Sequence, residues 1–296
     1  MNRYKNTLLN LMKKWRRDEP KTSRRKKFQN INLSREDLSG VEFSHVDFYQ
    51  ANLSGIDLSQ SNLKGASFIW ADLNGANLSG ANLELAQLHY ASFLWANLSY
   101  TSLINADLSC AKFSQANLEG ACGFKAKMMG ATLVKANLIF SNFRETEFFN
   151  ANLNEANCSN STFENATLDR ADIQRANLRH VDLRKASLVG ANLKNADLTE
   201  AIVKRAELEL ADLTQANLTQ ADLSHASLFG ARLEGAILNS TKLENTDLRQ
   251  ANLEKAHLEA LDFSRCLVQV AIFTDVKGLG WTQKQWLKNH GVLNID

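Results

Sequence analysis

From Ile31 to Asp275 the chain divides into 49 consecutive pentapeptides without one insertion. The central residue of each five, at 33, 38, 43 and onward to 273, is Leu or Phe in 43 of the 49. Two residues before the centre stands Ala in 34 of the 49, and just before the centre mostly Asn or Asp. The two residues after it vary. A five-residue period matches neither a helix, at about 3.6, nor a flat strand, at about 2. It suits a coil that turns a corner every five residues, with the centre and the small residue pointing inward and the other three outward. Coils stacked at about 4.8 Å can pair their backbones, which satisfies every N–H and C=O except those of the end coils. Proline would break such a ladder, and the chain's one proline, Pro20, lies outside the repeat.

These A[DN]LxX units resemble the pentapeptide-repeat family over residues 31–275. The resemblance implies an all-β fold: a right-handed quadrilateral β-helix, or solenoid, with four pentapeptides per coil. That gives about 12 coils and, at about 4.8 Å each, a rod of roughly 60 Å. No coil offsets its own ordering entropy, so stability is a sum over neighbours. Three segments follow: residues 1–30, a basic amphipathic helix with a charged linker; 31–275, the β-helix; and 276–296, a C-terminal helical cap.

Open coil ends are exposed sheet edges and need covers. In "WTQKQWLKNHG" Thr282 is read as N-cap with Gln285 completing a capping box, and Trp281 against Trp286 as the staple. With Gly291 as terminator, a helix is expected at about 283–290; a homodimer contact through this cap is the sharper alternative. In "RYKNTLLNLMKKWRR" Tyr4, Leu8, Leu11, Met12 and Trp15 share one helical face, ringed by Lys13, Lys14, Arg16 and Arg17. This helix is expected either to cap the first coil or to anchor the chain at an anionic membrane surface. Nucleic acid, through the "RRKK" run at 24–27, is the least favoured partner. Residues 1–27 hold eleven Lys/Arg against two acids, which leaves 23 basic and 30 acidic residues for the body. A basic arm is thus joined to a mildly acidic body.

Cys110, Cys122, Cys158 and Cys266 show no C-x-x-C spacing, the usage of a reducing compartment. No apolar run approaches the roughly 18 residues of a membrane span, and "TLLNLM" is short for a signal-peptide core. The expectation is a cytoplasmic protein, membrane-peripheral if the anchor operates, and not secreted.

Catalytic signals are lacking. The histidines at 45, 89, 180, 225, 257 and 290 show neither i, i+4 pairing nor cysteine neighbours at metal-ligand spacing. There is no nucleophile elbow and no phosphate-binding glycine loop. Of the body's 30 acids, 15 fall just before a centre, where the repeat reserves a place for Asp or Asn. No enzyme activity, cofactor or metal is expected.

Function is then expected on the outer surface, where residues 20 apart stack. One wall carries Tyr49, Ile69, Trp70, Tyr90, Met129 and Phe149 at outward positions, with Trp70 and Tyr90 as neighbours one coil apart. Trp95, Tyr100, Ile139 and Phe140 continue the patch around two corners. Clustered aromatics on a rigid support mark a docking surface. A second feature is a basic belt: Arg170, Arg175, Arg179, His180, Arg184 and Lys185, then Lys194, Lys204 and Arg205, suited to an acidic partner or simply solvated. One irregularity stands out: Gly123 takes a centre that nearly every other repeat fills with Leu or Phe, with Phe124 or Phe143 expected to fill the gap.

The preferred reading is a non-catalytic scaffold for a protein partner, tethered by the N-terminal helix, similar to cyanobacterial-type members of the family. The alternative implied by the resemblance is a DNA-mimicking inhibitor of topoisomerase (gyrase). It ranks second because mimicry needs a largely continuous anionic face.

Overall fold

The structure is a computed structural model that describes residues 26–295; the anchor residues Tyr4 to Arg17 lie outside it. Two compact units, Met1–Asn142 and Phe143–Asp296, share one construction. Within each, parallel bridges join residues 20 apart, as in Asn32–Asn52, Asn77–Asn97 and Asn177–Asp197. Four pentapeptides therefore close one coil. The ladder starts at Lys27, paired with Asp47, inside the stretch read as linker. Phe28 stacks on Phe48 there at 5.7 Å, which gives that extra repeat an apolar anchor.

The local chemistry explains the repeat. The residue before each centre forms the rung, and its side chain also ties down the next corner. Asp37 Oδ1 accepts the Ser39 N–H at 3.0 Å, and Asn52 Oδ1 accepts that of Ser54 at 3.1 Å. These are Asx turns, which Asn and Asp form readily. Most centres' carbonyls accept the N–H three residues on, as Leu78 does from Ala81 at 2.9 Å. The second residue after the centre adopts a left-handed φ near +60° at each corner from Asn30 to Asp275, Arg265 excepted. That conformation costs about 1–2 kcal/mol for a non-glycine residue, and the ladder bonds on either side hold it.

Centres and small residues fill the interior. Phe43, Phe48, Phe68, Phe93 and Phe113 are buried in the first unit, where Phe93 and Phe113 stack at 4.8 Å. At several positions where Ser or Thr replaces the small Ala, the hydroxyl bonds a carbonyl inside the wall. Ser61 Oγ donates to Leu38 O at 3.1 Å and Thr241 Oγ1 to Leu218 O at 2.8 Å, which avoids the penalty of an unpaired buried hydroxyl.

Gly123 is buried, and the ladder passes through it unbroken, with its N–H donated to Asn142 O at 2.7 Å. Phe124 does not turn inward. It stays half-buried outside, with the Lys125 ammonium 5.0 Å from its ring centroid. Phe143, buried in the second unit, stacks on Phe163 at 5.8 Å.

The C-terminal helix α1 spans Trp281–Asn289, two residues earlier than expected. Gly280 is the N-cap, and its N–H donates to Gln283 Oε1 at 3.0 Å; this is the N3 half of a capping box, made by Gln283 and not Gln285, with no side chain on the cap residue to make the other. Trp281 is 74% exposed and makes no staple, while Trp286 stacks on His290 at 3.7 Å. Gly291, at φ +79°, ends the helix. Beyond it Leu293 pairs with Ile272, so the tail adds one more rung. No helix among the described residues is long and apolar enough to cross a membrane.

Candidate docking surface

The second residue after each centre sits at a corner and projects farthest from the coil. In the coil of residues 81–100 all four corners are large and apolar: Leu85, Tyr90, Trp95 and Tyr100, each 45–67% exposed. Leu85 was not among the candidates read from the sequence; its position at the same corner offset was the available signal. The arrangement is therefore a collar around one coil rather than a patch on one wall. Below Tyr90, Trp70 lies flat against it, with ring centroids 4.3 Å apart and planes 5° from parallel. The His89 ring meets Tyr90 edge-on at 5.9 Å. Tyr100 lies over Gly120, where a side-chain carbon would come within 2.6 Å of the ring, and its hydroxyl donates to Glu119 at 3.3 Å. Phe140 and Met129 are also exposed in this unit.

Three candidates sit deeper: Tyr49, Ile69 and Ile139, each directly after a centre, are half-buried. Phe149 belongs to the second unit, where the Arg170 guanidinium lies 5.8 Å from its ring centroid.

Polar walls run between the posts. Between the Trp95 and Tyr100 corners, Asn97 belongs to an amide ladder. Its Nδ2 donates to Asn77 Oδ1 at 3.3 Å, Asn117 donates to Asn97 at 3.3 Å, and Asn137 donates to Asn117 at 3.0 Å. Between Tyr90 and Trp95, Asn74 Oδ1 accepts from Ser92 Oγ at 2.6 Å and from the Leu94 N–H at 2.9 Å. Apolar posts on these hydrogen-bonded polar stretches leave the corners as the places where a partner can gain by excluding water.

The basic belt is largely neutralised within the second unit. Arg184 binds Asp182 at 2.6 Å and reaches Glu164 at 3.6 Å; Arg179 meets Asp197 at 3.3 Å and His180 meets Glu200 at 3.4 Å. Lys194 pairs with Asp212 and Lys204 with Asp222, both at 3.1 Å. Burial raises the pKa of Asp182, yet the Arg184 hydrogen bonds and charge outweigh it and the net shift is downward. Asp197, Asp212 and Asp222 are lowered by the same balance, with Thr199, Thr214 and Ser224 as the nearest donors. Arg175, Lys185 and Arg205 make no ion pair among the described residues, and Arg170 faces Phe149. Also among the described residues, no three His, Cys, Asp or Glu side chains are grouped to hold a metal.

Comparison with known proteins fits this construction. The profile described as Pentapeptide repeats matches residues 27–60, 66–101, 86–122, 146–184, 176–215, 206–245 and 238–269. Among solved structures, the chain is similar to HetL, a pentapeptide repeat protein involved in heterocyst differentiation regulation from the cyanobacterium Nostoc sp. strain PCC 7120. The identity is 28%, covering 82% of this chain and 92% of HetL, with a TM-score of 0.60. A pentapeptide repeat protein of the Arabidopsis thaliana thylakoid lumen is 31% identical over 39% of this chain and 81% of its own, with a TM-score of 0.37. Rfr23 from the cyanobacterium Cyanothece 51142 is 33% identical over 33% of this chain and 64% of its own, with a TM-score of 0.30. No curated protein matches the sequence. The profile and the HetL likeness make the coil a right-handed β-helix.

Proposed function

We infer that this chain, which belongs to the pentapeptide repeat family, is a non-catalytic scaffold that docks a protein partner on the collar of its first unit. The observation that carries the reading is the single coil with Leu85, Tyr90, Trp95 and Tyr100 at its four corners. Large aromatic anchors dominate interface energetics, and the Trp70–Tyr90 stack holds two of them ready in place. The likeness to HetL supports a regulatory role exercised through binding. The basic N-terminal arm serves as a tether to an anionic membrane surface.

DNA mimicry is the weaker reading. In the second unit Asp182, Asp197, Asp212 and Asp222 face cations of the same chain, which breaks up any continuous anionic face. Capture of partners from the native host, with the Trp70→Ala/Tyr90→Ala double variant as the second bait, tests the docking. The wild type is expected to retain proteins that the variant loses; identical recovery by both refutes it. Strong gyrase inhibition by the purified protein would favour mimicry instead.

A further inference from the structure

The ladder of the second unit is open at one rung. Its bridges run at 20-residue spacing on both sides, with Ile237 paired to His257 and Asp247 to Leu267, but Lys242 and Asp262 do not pair. Elsewhere in the unit the centre's N–H and the corner's N–H each donate to the next coil, as Leu238 and Ser240 do to His257 and Glu259. At the open rung the N–H groups of Leu243, Asn245 and Asp262 have no backbone acceptor among the described residues, and the carbonyls of Thr241, Asp262 and Ser264 lose their ladder donors. A cleft of about 580 Å³ lies there, lined by both lips, including Thr241, Leu243, Glu244, Asp262, Ser264 and Arg265.

Three features mark the opening. Leu261, a large residue, is buried at the small-residue position. Its carbonyl accepts the Gln283 side-chain amide of α1 at 2.7 Å, which draws the segment toward the cap. Arg265 lacks the left-handed corner conformation of the other repeats, and its ion pair with Glu244 ties the two lips at one end of the opening.

We propose that this open rung is an acceptor slot for one extended peptide segment of a partner, entering as an additional parallel strand. The pattern of free groups defines the occupant. In a five-residue segment following the repeat's register, the carbonyls of residues 2 and 4 accept the Leu243 and Asn245 N–H groups. The carbonyl of residue 1 accepts that of Asp262. The segment's N–H groups at residues 2, 3 and 5 reach Thr241 O, Asp262 O and Ser264 O. Strand addition of this kind derives affinity from main-chain bonds, and a helix, with its backbone groups bonded internally, cannot supply them. The slot belongs to the second unit and the collar to the first, so either assignment can fail alone.

The test uses the full chain, isotope-labelled, titrated with capped Ala-Asn-Leu-Ser-Gly, a copy of residues 51–55, while amide resonances are followed. The Leu243, Asn245 and Asp262 amides should shift together and saturably. The same peptide N-methylated at its Leu, which removes one donor and obstructs the pairing, should bind at least tenfold more weakly. Leu261→Ala restores the repeat's small residue and should close the rung: the three amides become slow to exchange, and the peptide response disappears. Equal binding of the N-methylated peptide, shifts confined to other amides, or an unchanged response in Leu261→Ala would each overturn the assignment.

Discussion

Replacing Trp70 and Tyr90 by alanine, singly and together, distinguishes rings displayed for a partner from rings needed by the fold. The pair stacks at 4.3 Å with nearly parallel planes, and each residue remains about half exposed. Such a stack contributes about 0.5–1.5 kcal/mol beyond area burial. The area that a half-buried ring withdraws from water, on the order of 100 Å², adds about 2 kcal/mol as an upper bound. Each single substitution should therefore lower unfolding stability by about 1–3 kcal/mol, with a coupling of about 1 kcal/mol in the double-mutant cycle. Urea unfolding followed by circular dichroism measures the stabilities, and the ring resonances of Trp70 and Tyr90 report the stack directly. A coupling near zero would mean that the rings do not stack in solution. A loss above about 4 kcal/mol for either single variant would make the pair structural and remove the basis for reading it as a displayed anchor.

Other substitutions and conditions probe the remaining features. Gly120→Ala places a methyl group at φ +64° against the Tyr100 ring; a stability loss of about 1–2 kcal/mol and a displaced Tyr100 resonance are expected, and an unchanged resonance would contradict the placement. Burial pushes the Cys158 and Cys266 thiols up to about 12, whereas Cys110 is exposed. Maleimide at neutral pH should thus label Cys110 promptly and the buried pair only on unfolding, as mass spectrometry would show; early labelling of Cys158 argues against the packed core. The folded-state pKa values of Asp182, Asp197, Asp212, Asp222 and Asp247 are lowered, so in acid the unfolded chain binds more protons. Their stabilisation is complete above the unfolded carboxylate value of about 4 and is lost as pH falls through the lower folded values. Urea midpoints measured from pH 6 down to pH 2 should fall in that window, and a flat profile would contradict the ion pairs.

The five-residue phase made the interior and the corners legible, because each position in the repeat has one direction relative to the coil. It also pointed to Trp70 and Tyr90 as neighbours. The collar was harder to see, since its four members stand five residues apart, and Leu85 looks ordinary beside three aromatics. The belt's neutralisation was hidden for a different reason. Its partners, such as Asp197 for Arg179 and Asp222 for Lys204, stand 18 residues away along the chain and meet only across adjacent coils. Two C-terminal departures follow from local competition. Gly280 outcompetes Thr282 as N-cap because its N–H is the one Gln283 reaches. The open rung carries Leu261, a large residue at a position that is Ala in most repeats, but Ile56 holds the same position in an intact ladder, so residue size alone does not reveal the opening.

Site-specific photo-crosslinking tests the docking account most directly. A photoreactive phenylalanine analogue is placed at Leu85, Tyr90, Trp95 or Tyr100 in the native host, with the polar corner Gln115 of the following coil as reference. The account predicts a shared protein adduct from neighbouring collar corners and none from Gln115. Adducts of equal yield from all five positions, or from Gln115 alone, would contradict it.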